Sequence, residues 1–183
     1  AWLWPIRETH RKAARTFACM TSYAKEFPEF MFIQSQPAQL EALHTQYPAI
    51  FEQVKQAYDN GQWEPNGGMY VEADCNIPNG ESLIRQFLVG RLTTEALLGY
   101  RSDTLWLPDV FGYAANLPQI LAGCNIDYFV TSKINWNDTS RFPYDTFIWK
   151  GIDGTGLKTH YITSRTDGYN GKIAPEPVFE AWD

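Results

Sequence analysis

Thr104-Leu105-Trp106-Leu107-Pro108-Asp109 is a short apolar run of strand length, closed by a proline and then by a carboxylate. Proline cannot donate to a sheet ladder, so the strand has to stop there. The carboxylate that follows stands at the edge of an apolar strand, where ionised oxygen needs a cation, donors or water. Outward from this run, Ser82 to Leu98 has helical spacing through Leu83, Phe87, Leu88, Leu92 and Leu97. On the other side, Asn116 to Ala122 suits a helix before Gly123, and Tyr128-Phe129-Val130-Thr131 reads as the next strand. Strands separated by helices imply a parallel sheet, because parallel neighbours need a crossover. Catalytic groups then belong just beyond the strand C-termini.

The same alternation extends towards the N-terminus. Pro5 fits a first helical turn, and Ile6, Ala13, Phe17, Met20 and Ala24 mark one buried helical face that Pro28 ends. Phe30-Met31-Phe32-Ile33-Gln34 is of strand length. After Pro37, one stripe of Leu40, Leu43, Ile50, Phe51, Val54 and Tyr58 reads as the inward side of a helix closed by Asn60-Gly61. Glu64 to Gly68 reads as a loop and Met69-Tyr70-Val71-Glu72 as a strand, giving strand then helix four times over. Later, Phe147-Ile148-Trp149 and Leu157 to Ile162 flank Gly151-Ile152-Asp153-Gly154, the pattern of an antiparallel hairpin with an Asp-Gly turn. No internal repeat or linker interrupts residues 1–183, which read as one compact domain.

Composition narrows the partners. The 15 Lys and Arg against 21 Asp and Glu give a net charge of −6 with no basic cluster, which argues against nucleic acid and anionic membrane. No apolar run approaches the roughly 20 residues that span a bilayer, so a soluble protein is expected. Cys19, Cys75 and Cys124 are odd in number and widely spaced, and read as reduced thiols suited to the cytosol. The abundant aromatic rings suit both a core and the apolar faces of sugars.

Four polar residues fall at predicted strand ends: Glu72 and Asp74, then Asp109, then Lys133. Acids sharing a rim suit general acid/base chemistry or a metal such as zinc. By spacing alone, Asp109 is equally compatible with a helix cap and with catalysis. Lys133 fits a cation that holds a carboxylate ionised, a donor to a substrate hydroxyl, or a surface charge. Trp2 and Trp4 offer flat faces for a sugar, although packing is the favoured expectation for Trp4. His10, His44 and His160 lie at no metal-ligand spacing from one another and are given no role.

Four segments, Ala1-Trp2-Leu3-Trp4-Pro5, Gly67 to Asn76, Leu107-Pro108-Asp109-Val110-Phe111-Gly112-Tyr113 and Thr131 to Asn137, together resemble glycoside hydrolase family 38 α-mannosidases of the bacterial, fungal and cytosolic branch. The resemblance implies part of a seven-stranded β/α barrel with mainly parallel strands, and a retaining enzyme that removes terminal mannose from oligosaccharides. It implies zinc, with cobalt as an alternative, and puts both nucleophile and zinc ligand on Asp109. Trp2 matches an aromatic beneath the mannose and Phe111 a pocket wall. Lys133 matches a basic residue that keeps the nucleophile ionised, and Glu72, Asp74 and Tyr169 match pocket positions. In the family a His-x-Asp pair supplying two zinc ligands lies before the segment matching Ala1-Trp2-Leu3-Trp4, and the last His ligand and the general acid lie beyond Asp183. The 183 residues alone are therefore expected to be inactive, as a partial catalytic domain whose full-length parent is active, cytoplasmic and a candidate homo-oligomer. A mannoside-binding module without catalysis and a metal-dependent deacetylase on a similar barrel are the rival expectations.

Overall fold

The computed structural model describes residues 4–135, 138–140 and 142–162. The first helix, α1, spans Ile6–Glu26, with Pro5 just before it rather than inside its first turn. Its buried stripe is Ala14, Phe17, Thr21 and Ala24, and Ile6, expected on that face, is exposed. Strand β1, Phe32–Ile33, follows. The stripe expected as one helix is two, α2 (Pro37–Gln46) and α3 (Pro48–Asp59). The cause is Pro48, which disfavours helical backbone at the preceding residue; Tyr47 sits at φ −137, ψ 58.

Strand β2 is Trp63–Glu64, whose second residue opens what the sequence suggests is a loop, and it pairs in parallel with β1. Met69 to Glu72, expected to be this strand, is not one. The backbone N–H of Tyr70 donates to the Gln86 carbonyl at 2.9 Å and that of Val71 to Gln86 Oε1 at 3.0 Å, while the Tyr70 carbonyl accepts from Ala38 at 3.1 Å. Helices thus take the polar groups that a neighbouring strand would need.

The helix that supplies Gln86 is α4, Gly80–Leu98. Asn79 caps its start by accepting from the Ser82 N–H, and Gly99 at φ +67 ends it in the left-handed conformation. Its inward face is Leu83, Phe87, Gly90, Thr94 and Leu98, so Leu88 and Leu92, expected inside, are exposed. Gly90 explains the rotation: the backbone of residues 68–70 lies directly against it, leaving no room for a Cβ.

Strands β3 (Thr104–Trp106) and β4 (Tyr128–Thr131) enclose helix α5 (Leu117–Gly123), as the alternation requires. The hairpin forms as expected from β5 (Thr146–Lys150) and β6 (Gly156–Tyr161), antiparallel, with Gly154 at φ +86 in the turn. The sheet order is β3-β4-β6-β5, so β6 inserts beside β4 in parallel and β5 lies outside it. Gly67 makes a parallel bridge to Leu105 and carries the β1–β2 pair up to β3.

Among the described residues there are therefore six strands, all but β5 in parallel pairs, in a two-stranded and a four-stranded sheet. An α/β architecture with mainly parallel strands is observed; a closed seven-stranded barrel is not formed by these residues. One core joins Leu83, Phe87, Leu117 and Leu121 of the helices to Leu105, Phe129 and Leu157 of the strands. A second joins α1, α2 and α3 through Phe17, Leu40, Leu43 and Val54 to Trp63. On β6 burial alternates, so Lys158 and His160 point away from the helices into a groove of about 620 Å³.

Candidate active site

The C-terminal ends of the parallel strands converge. Leu107 still pairs with β4, its N–H donating to the Val130 carbonyl at 3.0 Å, and Pro108 and Asp109 then turn off the sheet. Lys133 opens a short 3-10 helix directly after β4. Its Nζ lies 2.7 Å from Asp109 Oδ1, with the lysine side chain 4% exposed and the aspartate 34%. A cation that deeply buried is held by its opposite charge, and the carboxylate keeps one side open to solvent. The same ammonium lies 4.9 Å from the centroid of the exposed Phe111 ring, a cation–π contact. Asp109 is not a helix cap: α5 starts only at Leu117, after Asn116.

The turn carrying Asp109 is tethered on both sides. The Tyr113 hydroxyl lies 3.1 Å from the Leu107 carbonyl and 3.2 Å from the Val110 carbonyl, and it also pairs with Thr131 Oγ1. Ser132 donates its hydroxyl to the Pro108 carbonyl at 2.7 Å. Burial pushes the Tyr113 phenol well above its ordinary range, so it stays protonated and able to donate.

Glu72 stands at the same rim. Its carboxyl accepts a hydrogen bond from Ser35, two positions after the end of β1. Burial raises its pKa above the usual carboxylate range; the Ser35 hydrogen bond acts against this, and the negative charge of Asp109 adds to it. Asp74 does something different: Oδ1 accepts from the backbone N–H groups of Asn76 and Ile77, each at 2.8 Å, and so shapes the loop before α4. Cys75 in that loop bridges Tyr113, tying it to the Asp109 segment.

Trp2 and Tyr169 lie outside the described residues. Trp4, expected to pack, is 46% exposed and carries the Lys12 ammonium over its ring at 3.8 Å. His10 contacts Gln46, His44 lies against Phe51, and His160 pairs with Thr146, none of them at the rim. All three cysteines are free thiols, with Cys19 exposed and Cys75 buried. No described helix is long and apolar enough to cross a membrane. Sequence reasoning missed Ser35 altogether. Tyr113 was visible only as part of a motif, without a role.

A protein zinc site needs three or four donors. Among the described residues no group of three or more His, Cys, Asp or Glu side chains gathers. Asp109 can give an oxygen ligand, so these residues supply one donor and do not by themselves fit the ion.

The mainly parallel α/β fold agrees with what comparison finds. The model of the glycosyl hydrolases family 38 N-terminal domain matches residues 1–183, and the chain belongs to that family. It is 41% identical over 173 residues to "Alpha-mannosidase 2C1" of Homo sapiens, covering 94% of this chain and 17% of that protein. It is 42% identical over 169 residues to "Alpha-mannosidase G" of Dictyostelium discoideum, covering 92% of this chain and 15% of that protein. The chain thus spans about a sixth of the length of these relatives. Among solved structures, an α-mannosidase from Enterococcus faecalis superposes with a TM-score of 0.76 at 22% identity, covering 98% of this chain and 20% of that one, which bears on the fold.

Proposed function

We propose that the protein to which this chain belongs is a retaining α-mannosidase acting on mannose-containing oligosaccharides, with Asp109 as its nucleophile. The observation that carries it is the Asp109–Lys133 pair at the mouth of the parallel sheet, with the carboxylate one-third open and an exposed aromatic ring alongside. Retaining hydrolysis needs an ionised carboxylate that can approach an anomeric carbon. Lys133 binds one carboxylate oxygen of Asp109 and fixes it, leaving the other for attack. Attack forms a glycosyl ester on Asp109 and releases the leaving oxygen, which takes its proton from a general acid. Water then cleaves the ester, and configuration is retained.

Phe111, and Trp2 by resemblance, present apolar faces to the sugar ring. Glu72 accepts from ring hydroxyls, and Tyr169 joins the pocket by resemblance. Asp74 enters only through the loop it shapes. Zinc, with Asp109 as one ligand, belongs to this proposal through the family resemblance alone, and no step is routed through it. A cytoplasmic location is supported by the likeness to the cytosolic branch and by three free thiols.

The test is Asp109→Asn in the full-length parent. Turnover of an aryl α-mannoside is expected to fall at least about 10³-fold, since removing a nucleophile removes a covalent step. The folded-state circular dichroism should be unchanged. Turnover within a few-fold of the unaltered enzyme refutes the assignment, and a parent that binds mannosides without cleaving them is a binding module instead.

A further inference from the structure

The hydrogen bonds around Asp109 have a fixed direction. A carbonyl only accepts, so the single Tyr113 proton is directed at the Leu107 and Val110 carbonyls, 3.1 and 3.2 Å away. The contact between Tyr113 and Thr131 must then be donated by the threonine hydroxyl. Thr131 Oγ1 in turn faces the backbone N–H of Lys133 at 3.4 Å. The order runs from the Lys133 backbone through Thr131 and Tyr113 to the carbonyls on either side of Pro108 and Asp109. Thr131 is fully buried and Tyr113 partly so, which limits the access of water to these bonds.

We propose that Tyr113, ordered by Thr131, is a positioning residue that holds the Leu107–Val110 turn so that Asp109 meets Lys133 in a single geometry. This rests on the reading of Asp109 as nucleophile. The hydroxyl is separable from the ring: the ring packs edge-on against Phe129 at 4.9 Å and Trp149 at 6.5 Å, and a phenylalanine keeps both contacts. What is lost is the direction of the turn, and with it the aim of the carboxylate.

The experiment uses the full-length parent and a fluorinated mannosyl fluoride that leaves a slowly hydrolysed ester on the nucleophile, with the labelled peptide mapped. In Tyr113→Phe the labelling rate constant at saturation should fall about 10- to 100-fold while the half-saturating concentration stays within about twofold, as expected of misaim rather than lost binding. Thr131→Val should reproduce this, and Thr131→Ser, which keeps the hydroxyl, should restore most of the rate. A residue that matters only for packing moves neither the rate at constant half-saturation nor the threonine-to-serine rescue. Labelling of Asp109 at an unchanged rate in both Tyr113→Phe and Thr131→Val overturns the positioning role and leaves the nucleophile standing. A label mapped to another residue in the unaltered enzyme overturns both. Should Tyr113→Phe not fold, the Thr131→Val and Thr131→Ser pair decides alone.

Discussion

Gly90→Ala is the substitution that best tests how the helices position the site. A Cβ at Gly90 would lie 2.6 Å from the Gly68 carbonyl oxygen and the Tyr70 nitrogen, and 2.7 Å from the Met69 carbonyl carbon. All three are backbone atoms that cannot swing aside. Restoring ordinary contact needs α4 or the 68–70 segment to withdraw by about 0.8 Å, an overpacking strain of about 2–3 kcal/mol. Alanine recovers about 1 kcal/mol through its better helix propensity. The net cost is about 1–2 kcal/mol, or a midpoint lower by about 2–8 °C for a chain of this size. Thermal unfolding followed by circular dichroism measures it. Gly123→Ala, at the last position of α5, is the control, because a Cβ there meets nothing within 4 Å and its φ is not positive; it should be neutral or stabilising by up to about 1 kcal/mol. A Gly90→Ala chain as stable as the original would refute the close approach of α4 to the segment that leads to Glu72.

The raised Glu72 sets a pH dependence with a definite sign. A buried carboxyl that holds its proton more tightly when folded costs stability once pH rises above the ordinary glutamate range, and the cost levels off above its raised value. Glu72→Gln, which can still accept from Ser35, should therefore stabilise the chain at neutral pH and lose that advantage on acidification to about pH 4; denaturant titrations at both pH values check this, and an equal effect at both refutes it. For the thiols, burial pushes Cys75 to about 12. A colorimetric disulfide reagent at pH 8 should modify the exposed Cys19 quickly and Cys75 only after unfolding, so rapid reaction of Cys75 in the folded chain would contradict its burial.

How much of this could be read in advance depended on whether an element carries a period. β3 and β4 are runs of branched and aromatic residues bounded by proline or glycine signals, and they stand where expected. The β5–β6 hairpin was legible from its Asp-Gly turn. β2 was not, because two residues have no periodicity and Glu64 leads straight into the Pro65 to Gly68 loop. The inward face of α4 is hidden from an apolar count because Gly90 and Thr94 add nothing to it, although close packing needs a small residue at Gly90. At the site, Asp109 and Lys133 were legible as charges placed after apolar strands. Ser35 acts through one hydrogen bond to distant Glu72, and Tyr113 through its hydroxyl contacts with Leu107, Val110 and Thr131; such bonds leave no spacing signature.

The insertion of β6 between β4 and β5 has a consequence for how the molecule is assembled. β4 obtains its second ladder partner only from residues 156–161, so until those residues arrive, Phe129 and Thr131 line a bare ribbon. The hairpin therefore docks on the free edge of β4 with its later arm inward. A nascent or clipped chain ending before Gly156 would expose a sticky seam beside the very residues that define the pocket, which makes the hairpin a late-fitting keystone.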